Sequence, residues 1–273
     1  VAYDHMAELG DTLEKIAWQK AGIIKDDSYV ITAVSDPGPL EVIARTCEEK
    51  RCNLKLFGKD FSLLYNLTYG VDTGKIGQAV GLRGLLREYP ELFVPLLGDH
   101  QAINAACAVA ACECYAGTLA ALSSTEVEAG LRRVRSPGRL EVVSLNPLVL
   151  LDGAHNPDGA GRLAQVIGND LDYERCILVV GILEDKDARS MLDMLLPLAD
   201  TVVATRSADE RAMPAQRLAD MVKELGKDCV VVEPVGEAVK FARTLASVAD
   251  MVCVTGSLYT VGEARNALGL RPE

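Results

Sequence analysis

Val149-Leu150-Leu151-Asp152-Gly153-Ala154-His155-Asn156-Pro157 is the stretch that decides the fold, because an apolar run ends there in a dense polar turn. Four further apolar runs follow, and segments with helical character separate them. We predict strands at 149–151, 177–180, 201–204, 230–232 and 251–254, and helices near 159–169, 188–197, 214–225 and 235–247. Continuously apolar strands that alternate with helices predict a mostly parallel sheet covered on both faces, in a Rossmann-like α/β domain.

The polar turn is also the first candidate for a site. Ligands of open parallel sheets bind beyond the carboxyl ends of the strands, which is where Asp152, His155 and Asn156 fall. The alternative is an ordinary helix cap beside a surface histidine. We favour a functional turn, because a cap needs one such residue and this turn holds three.

Other strand-end turns carry weaker signals. The loop 181–187 is either part of a site or a solvated loop in which Asp187 caps the next helix. In 255–259 a glycine and a hydroxyl at a helix start offer N–H and O–H groups to an anion. Gly159, Gly161 and Ala164 match a dinucleotide-binding pattern, but they lie too far beyond the strand, so we expect no nicotinamide cofactor.

The first half of the chain is organised differently. We predict a helix at 12–21 that ends at Gly22, then strands at 29–34 and 54–57 around a helix at 39–49. Residues 61–97 have the pattern of antiparallel ribbon, and helices are predicted at 99–116 and 125–135, the latter capped by Ser124 or Thr125. The turn cluster Ser136-Pro137-Gly138 then predicts a boundary between domains 1–137 and 138–273.

Composition excludes several classes of protein. The 28 basic and 39 acidic residues give a net charge of −11, which argues against nucleic acid or an anionic membrane as the main partner. The eight cysteines form no CxxC pair and no zinc-ligand spacing, so we expect reduced thiols in a cytoplasmic protein. No G-x-x-x-x-G-K-[ST] phosphate loop occurs, and a start at Val1 without a leader suggests a piece of something longer.

Taken together, several short motifs carry a family resemblance. In order, they are Asp4-His5, 16–25, His100-Gln101 with Asn104, 137–141, 152–157, Asp185-Lys186-Asp187 and 255–259. This combination resembles the folylpolyglutamate synthase/dihydrofolate synthase family, a branch of the Mur ligase superfamily, over essentially the whole chain. The first domain would then be the rear part of the central ATP-binding α/β domain, without its phosphate loop.

The resemblance implies an ATP-dependent ligase that phosphorylates a carboxylate of a folate or dihydropteroate, which the amine of L-glutamate then attacks. It implies ATP and Mg²⁺ as cofactors, with K⁺ or another monovalent cation as an option. By motif match, the resemblance implies that Asn104, Arg139 and Asp152 contact the nucleotide. It places His155, Ser257 and Tyr259 near the glutamate, and it gives catalytic roles to His155, Lys20 and Ser257. It assigns the metal to His5 and to Lys20 as a carbamate.

Without a phosphate loop, we expect the chain on its own to be inactive. Two alternatives stay open, a non-catalytic module that binds nucleotide or glutamate and a related Mur-type amide ligase. We expect small-molecule partners and a monomer.

Overall fold

A computed structural model describes residue 3 and residues 10–69, 76–115 and 122–270. His5 therefore lies outside the described residues. The chain divides into two compact units, of which the first ends at Arg135 and the second begins at Ser136, two residues before the predicted boundary. Each unit is described by itself below.

In the part of the chain that the structure describes, the first unit combines two small sheets with four helices. Its elements are α1 Leu13–Ala21, β1 Tyr29–Thr32, α2 Pro37–Glu49, β2 Asn53–Leu56, β3 Ser62–Tyr69, β4 Gly77–Arg83, β5 Glu88–Val94, α3 Asp99–Tyr115 and α4 Ser124–Leu131. β1 and β2 pair in parallel, whereas β3, β4 and β5 form an antiparallel sheet. The predicted antiparallel ribbon is thus confirmed, and α1 follows the N-cap Thr12 and has the predicted stop at Gly22.

Small residues let α3 pack closely in this unit. Ala102, Ala105, Ala106 and Ala110 are buried on one side of α3, in a cluster that includes Phe61 and other apolar residues of the antiparallel sheet. Alanine has high helix propensity, and its small side chain lets neighbouring backbones approach. The Ala-rich run is therefore both a helix signal and a packing surface.

The cap of α4 differs from the prediction. The Ser123 hydroxyl accepts a hydrogen bond from Glu126 N–H at 3.2 Å, and the Glu126 carboxylate accepts one from Ser123 N–H at 3.0 Å. This reciprocal capping box pairs Ser123 with the glutamate three residues after it. Thr125 has the same spacing to Glu128, so spacing alone does not identify the cap. The prediction of Ser124 or Thr125 as the cap was wrong, because both residues already lie in the first turn of α4.

The second unit is built on one six-stranded sheet. Its elements are β6 Glu141–Leu145, β7 Leu148–Leu151, α5 Pro157–Asn169, β8 Cys176–Val180, α6 Ala188–Leu195, β9 Thr201–Ala204, α7 Ala215–Glu224, β10 Cys229–Val231, α8 Val235–Leu245, β11 Met251–Thr255 and α9 Leu258–Ala267. The strand order is β10-β9-β8-β11-β7-β6, and only β6 runs antiparallel to its neighbour. The prediction of a mostly parallel sheet is confirmed.

Both faces of this sheet are covered. Val149, Val179 and Val252 pack with buried residues of α8 and α9 in one apolar cluster. Their alternating neighbours, such as Leu150 and Leu178, are buried as well, so the opposite face is also removed from water. This double coverage is why the strands are continuously apolar. No helix in the described ranges is long and apolar enough to cross a membrane.

Candidate functional site

Three adjacent strands of the second unit end at the same edge of the sheet. β11 lies between β7 and β8 and pairs in parallel with both. The turns that follow them, 152–157, 256–257 and 181–187, therefore meet at the carboxyl edge. Brought together there are Asp152, His155, Ser257 and Lys186, all of which the sequence singled out, although local pattern could not show that their turns are neighbours.

Asp152 anchors the start of the second unit to this edge. The side chain is only 8% exposed, and its two oxygens accept hydrogen bonds from Leu140 N–H and Ala154 N–H, both at 2.9 Å. Gly153 N–H in turn donates to the Gly138 carbonyl at 2.7 Å. Burial raises the pKa of Asp152, while the two N–H donors and the charge of Arg139 oppose that shift. The carboxylate thus fastens residues 138–140 to the end of β7.

Arg139 is held between these anchored residues. Gly138 and Leu140 on either side adopt positive φ angles of 67° and 48°, so the segment is sharply turned. The Arg139 guanidinium lies close enough to Asp152 to stabilise its negative charge. The guanidinium makes no hydrogen bond to any described residue, and Arg139 is half-buried. The guanidinium therefore has N–H donors that could bind a nucleotide, and the predicted nucleotide contact of Arg139 stays a prediction.

His155 is oriented by a backbone carbonyl. Its Nδ1 lies 2.8 Å from the Gly153 oxygen, and because a carbonyl can only accept, Nδ1 carries the proton. In the neutral ring Nε2 is then the basic nitrogen. Asn156 is the N-cap of α5, since its Oδ1 accepts from Gly159 N–H at 2.8 Å. Of the three polar residues in the turn, Asn156 caps a helix, Asp152 anchors the chain and His155 is the one with acid–base chemistry.

Ser257 is a buried capping residue. It is 1% exposed, and its Oγ accepts from Thr260 N–H at 3.0 Å. The Thr260 hydroxyl donates to the Gly181 carbonyl at 2.8 Å, so the 2.9 Å contact between the two hydroxyls requires Ser257 to be the donor. Its proton is engaged inside the protein. The predicted catalytic and substrate roles of Ser257 therefore stay predictions, beside an observed role in joining α9 to the end of β8.

Two glycines allow this close approach. Gly256 has a φ of 107°, and a Cβ there would lie 2.5 Å from the Gly181 oxygen. A Cβ on Gly181 would lie 2.8 Å from the Thr260 hydroxyl. Neither distance can be accommodated without moving backbone or breaking a hydrogen bond. The turns after β8 and β11 can approach this closely only because both residues lack side chains.

The loop after β8 contains the helix cap that one of its two interpretations predicted. The Asp187 carboxylate accepts from Ser190 N–H at 3.1 Å and caps α6, as the alternative reading of this loop predicted. The Lys186 side chain is 10% exposed, and its Nζ lies 3.6 Å from an oxygen of Asp185. A nearly buried lysine at the carboxyl edge is unusual among surface loops. Part of the loop therefore caps a helix, and Lys186 lies against the edge.

Tyr259 contacts an arginine that sequence reasoning missed. Its Oη accepts a hydrogen bond from Arg211 Nη2 at 2.8 Å, and its ring centroid lies 5.3 Å from the Arg211 Cζ. Arg211 also forms an ion pair with Asp209. The signal that could have identified it is its place in the loop after β9, because the strand-end rule applies to every parallel strand of the sheet.

The remaining predicted residues belong to the first unit. Lys20 is exposed in the last turn of α1, and Asn104 is exposed on α3, where its Nδ2 donates to Gln101 at 3.1 Å. Asn66 stabilises the start of α3, because its Nδ2 donates a hydrogen bond to the Asp99 carboxylate at 2.8 Å. Among the described residues, no three His, Cys, Asp or Glu side chains are grouped so as to hold a metal ion.

Comparison with known proteins agrees with this geometry. Residues 138–258 match the family model described as "Mur ligase, glutamate ligase domain". The second unit is a Mur ligase glutamate ligase domain. Homology extends beyond it, because the whole chain aligns at 32% identity with the dihydrofolate synthase/folylpolyglutamate synthase of Mycobacterium tuberculosis. The chain spans 60% of that relative's length.

Solved structures place the glutamate ligase domain and the first unit in the same family. The Mycobacterium tuberculosis folylpolyglutamate synthase complexed with ADP matches all of this chain and 63% of its own, with a TM-score of 0.90 and 32% identity. Escherichia coli FolC in complex with DHPP and ADP matches 98% of this chain and 60% of its own, with a TM-score of 0.82 and 25% identity. The predicted family resemblance is confirmed.

Proposed function

We propose that this chain supplies the glutamate-ligating part of an ATP-dependent ligase that joins L-glutamate to a folate or a dihydropteroate. The observation that carries the proposal is the match along the entire chain to enzymes of that name, one of them crystallised with ADP. The carboxyl edge of the glutamate ligase domain adds support, because it holds an oriented imidazole at His155, and the half-buried Arg139 is in the segment anchored to the same edge.

In the proposed reaction ATP transfers its γ-phosphoryl group to the substrate carboxylate and leaves as ADP. The amine of glutamate then attacks the acyl carbon and displaces phosphate, which is a better leaving group than oxide. His155 acts on the amine of glutamate, because its Nδ1 proton is held by the Gly153 carbonyl and Nε2 is the nitrogen that accepts a proton. Arg139, turned toward the edge by the Asp152 anchor, binds phosphate oxygens. Asn104 contacts the base from α3, and Ser257 and Tyr259 border the glutamate.

Metal binding enters this proposal through the family resemblance. Magnesium would offset phosphate charge, and the resemblance assigns it to His5 and to Lys20 as a carbamate. The described residues do not by themselves form such a site. Lys20 is exposed on α1, where carbon dioxide can reach it, but its modification and any monovalent cation rest on the resemblance alone. The cytoplasmic location and monomeric state also remain predictions.

The chain contains no G-x-x-x-x-G-K-[ST] motif, so we propose that it does not turn over ATP alone. The test is a chimera in which the part of the Mycobacterium tuberculosis relative outside the match is fused to residues 1–273. We expect ADP release that requires both L-glutamate and a reduced folate or dihydropteroate, and no release from residues 1–273 alone.

The matched control is the same chimera with His155→Gln. It should bind ADP like its parent and lose at least about 100-fold in glutamate-dependent turnover, the scale of a general acid–base contribution. A chimera that binds ADP without any glutamate-dependent release would contradict the ligase and favour the non-catalytic binding module. Release with another amino acid and a peptidoglycan precursor would instead identify a related Mur-type amide ligase.

A further inference from the structure

The end of α2 in the first unit brings two cysteines together. Arg51, the residue after the cap Lys50, has a φ of 54°, and its N–H donates to the Glu48 carbonyl at 3.2 Å. Cys52 N–H then donates to the Cys47 carbonyl at 2.8 Å. These two bonds define a Schellman motif, in which the first and last side chains commonly pack against each other. Cys47 and Cys52 occupy those two positions.

The backbone of this motif holds the two cysteines within bridging distance. The Cys47 carbonyl oxygen and the Cys52 nitrogen are 2.8 Å apart, which with standard bond lengths limits the separation of the two Cα atoms to about 6.7 Å at most. Disulfides usually span about 4.4–6.8 Å between Cα atoms. An S–S bond between Cys47 and Cys52 therefore requires little movement of the backbone.

The two thiols differ in their access to solvent. Cys47 is 3% exposed and lies in a small apolar cluster with Ala21 and Ile24, whereas Cys52 packs against that cluster from a half-buried position. Burial raises the pKa of the Cys47 thiol, and the neighbouring Cys52 adds to the shift. The thiolate is the nucleophile in disulfide exchange. Cys52 is therefore the thiol that an external reagent reaches first, and Cys47 is its internal partner.

Polar groups of the loop after α1 surround the Cys52 sulfur. Its Sγ donates to the Lys25 carbonyl at 3.1 Å and lies 3.5 Å from the Ser28 hydroxyl oxygen. That hydroxyl donates to the same carbonyl at 2.6 Å. When Cys52 loses its proton, the Ser28 O–H can rotate and donate to the thiolate, because a hydroxyl has one mobile donor. The attacking sulfur thus has a neighbour that stabilises its anionic form.

We propose that Cys47 and Cys52 form a thiol–disulfide pair that a small-molecule disulfide, such as oxidised glutathione, converts to an intramolecular S–S bond. Cys52 releases its proton to solvent and attacks one sulfur of the oxidant. The S–S bond of the oxidant breaks, a mixed disulfide forms on Cys52, and the first thiolate leaves. Cys47 then releases its proton, attacks the Cys52 sulfur and displaces the second thiolate. The chain loses two hydrogen atoms, and the oxidant is reduced to two thiols.

The test is incubation of the full 273-residue chain with oxidised glutathione, alkylation of the remaining thiols and mass spectrometry after trypsin digestion. Trypsin cuts after Lys50 and Arg51, so the bond is detected as a link between peptides 46–50 and 52–55, which dithiothreitol should release. Cys47→Ser should stop the reaction at a glutathione mixed disulfide on Cys52. Cys52→Ser should leave Cys47 mostly unmodified, because burial protects it.

Cys112 provides the matched control. It is exposed on α3, and no cysteine lies three or four residues from it on that helix. It should carry glutathione without forming a link, and Cys112→Ser should leave the link between the two peptides unchanged. A stable mixed disulfide on Cys52 of the wild type, without the link, would overturn the proposal, as would the absence of any reaction at Cys52.

A comparison of rates separates the folded motif from mere proximity in sequence. In the wild type the link should form from the mixed disulfide at least about 10-fold faster in the folded chain than in concentrated urea, because the motif orients the two sulfur atoms. This measurement does not depend on whether a cysteine variant folds. Equal rates in the two conditions, or faster closure in urea, would show that the Schellman motif does not prepare the pair and would overturn the inference.

Discussion

Gly256→Ala is predicted to displace the start of α9 from the end of β8. The wild-type residue has a φ of 107°, and the new Cβ would lie 2.5 Å from the Gly181 oxygen and 2.8 Å from its carbonyl carbon. Both contacts are with backbone, so no side chain can rotate away. The strand ends must separate, or the turn must change its conformation.

The expected loss of stability follows from three contributions. Strained backbone costs about 1–3 kcal/mol, and overpacking against a fixed main chain costs about 1–3 kcal/mol. Replacement of glycine restricts the unfolded chain and returns about 0.4–1 kcal/mol. The net destabilisation is about 1–6 kcal/mol, or roughly 4–24 °C in the melting temperature of a unit of this size.

The assay is hydrogen–deuterium exchange with mass spectrometry along a urea series, which follows β11 and α9 separately from the first unit. Gly262→Ala is the matched control, because it lies in α9 with nothing within 4 Å of the new Cβ. It should stabilise α9 by about 0.5–1 kcal/mol. Wild-type protection in Gly256→Ala, or equal protection in both variants, would show that a Cβ at residue 256 does not displace the start of α9 from the end of β8.

Two further predictions concern buried carboxylates of the second unit. Asp152→Asn replaces one acceptor with an amide donor that faces Leu140 N–H or Ala154 N–H, so we expect a loss of about 1–3 kcal/mol in urea unfolding; an unchanged midpoint would contradict the anchor. For Asp250, hydrogen bonds from Arg175 and from Ser247 N–H lower the pKa from 3.8 to about 2. Its folded pKa is thus below the unfolded one, so its stabilisation is present above pH 4 and is lost as the pH falls toward 2. Asp250→Asn should be less stable than wild type at pH 5, with the difference closing by pH 2; the same difference at both pH values would show that the charge is not responsible.

Local patterns predicted the strands of the second unit well. β9 occupies the predicted span 201–204, and β7, β8 and β11 each differ from their predictions by one residue at one end. These strands are buried on both faces, and that leaves continuous apolar runs between helices. Local side-chain caps such as Asp187 on Ser190 were also within reach, because donor and acceptor lie three residues apart.

Local sequence patterns could not predict the contacts between distant segments of the chain. Arg211 and Tyr259 are 48 residues apart, and they meet because β11 is placed between β7 and β8 rather than at the end of the sheet. Strand order is a property of the assembled domain, and no short stretch of sequence encodes it. The same holds for the engagement of Ser257 by Thr260 and Gly181, so a hydroxyl that looks available in the sequence is found inside a hydrogen-bonded chain.

The bonds from Asp152 to Leu140 and from Gly153 to Gly138 also bear on how such enzymes can exchange parts. Although residues 138–140 stand at the very start of the second unit, they are attached to the end of β7. A recombination point at 135/136 would transfer Arg139 together with the edge that orients it, whereas one after residue 140 would separate the arginine from its anchor. The unit that can be exchanged therefore begins before its first strand. Recombinant ligases joined at 135/136 would keep the carboxyl edge of the sheet intact.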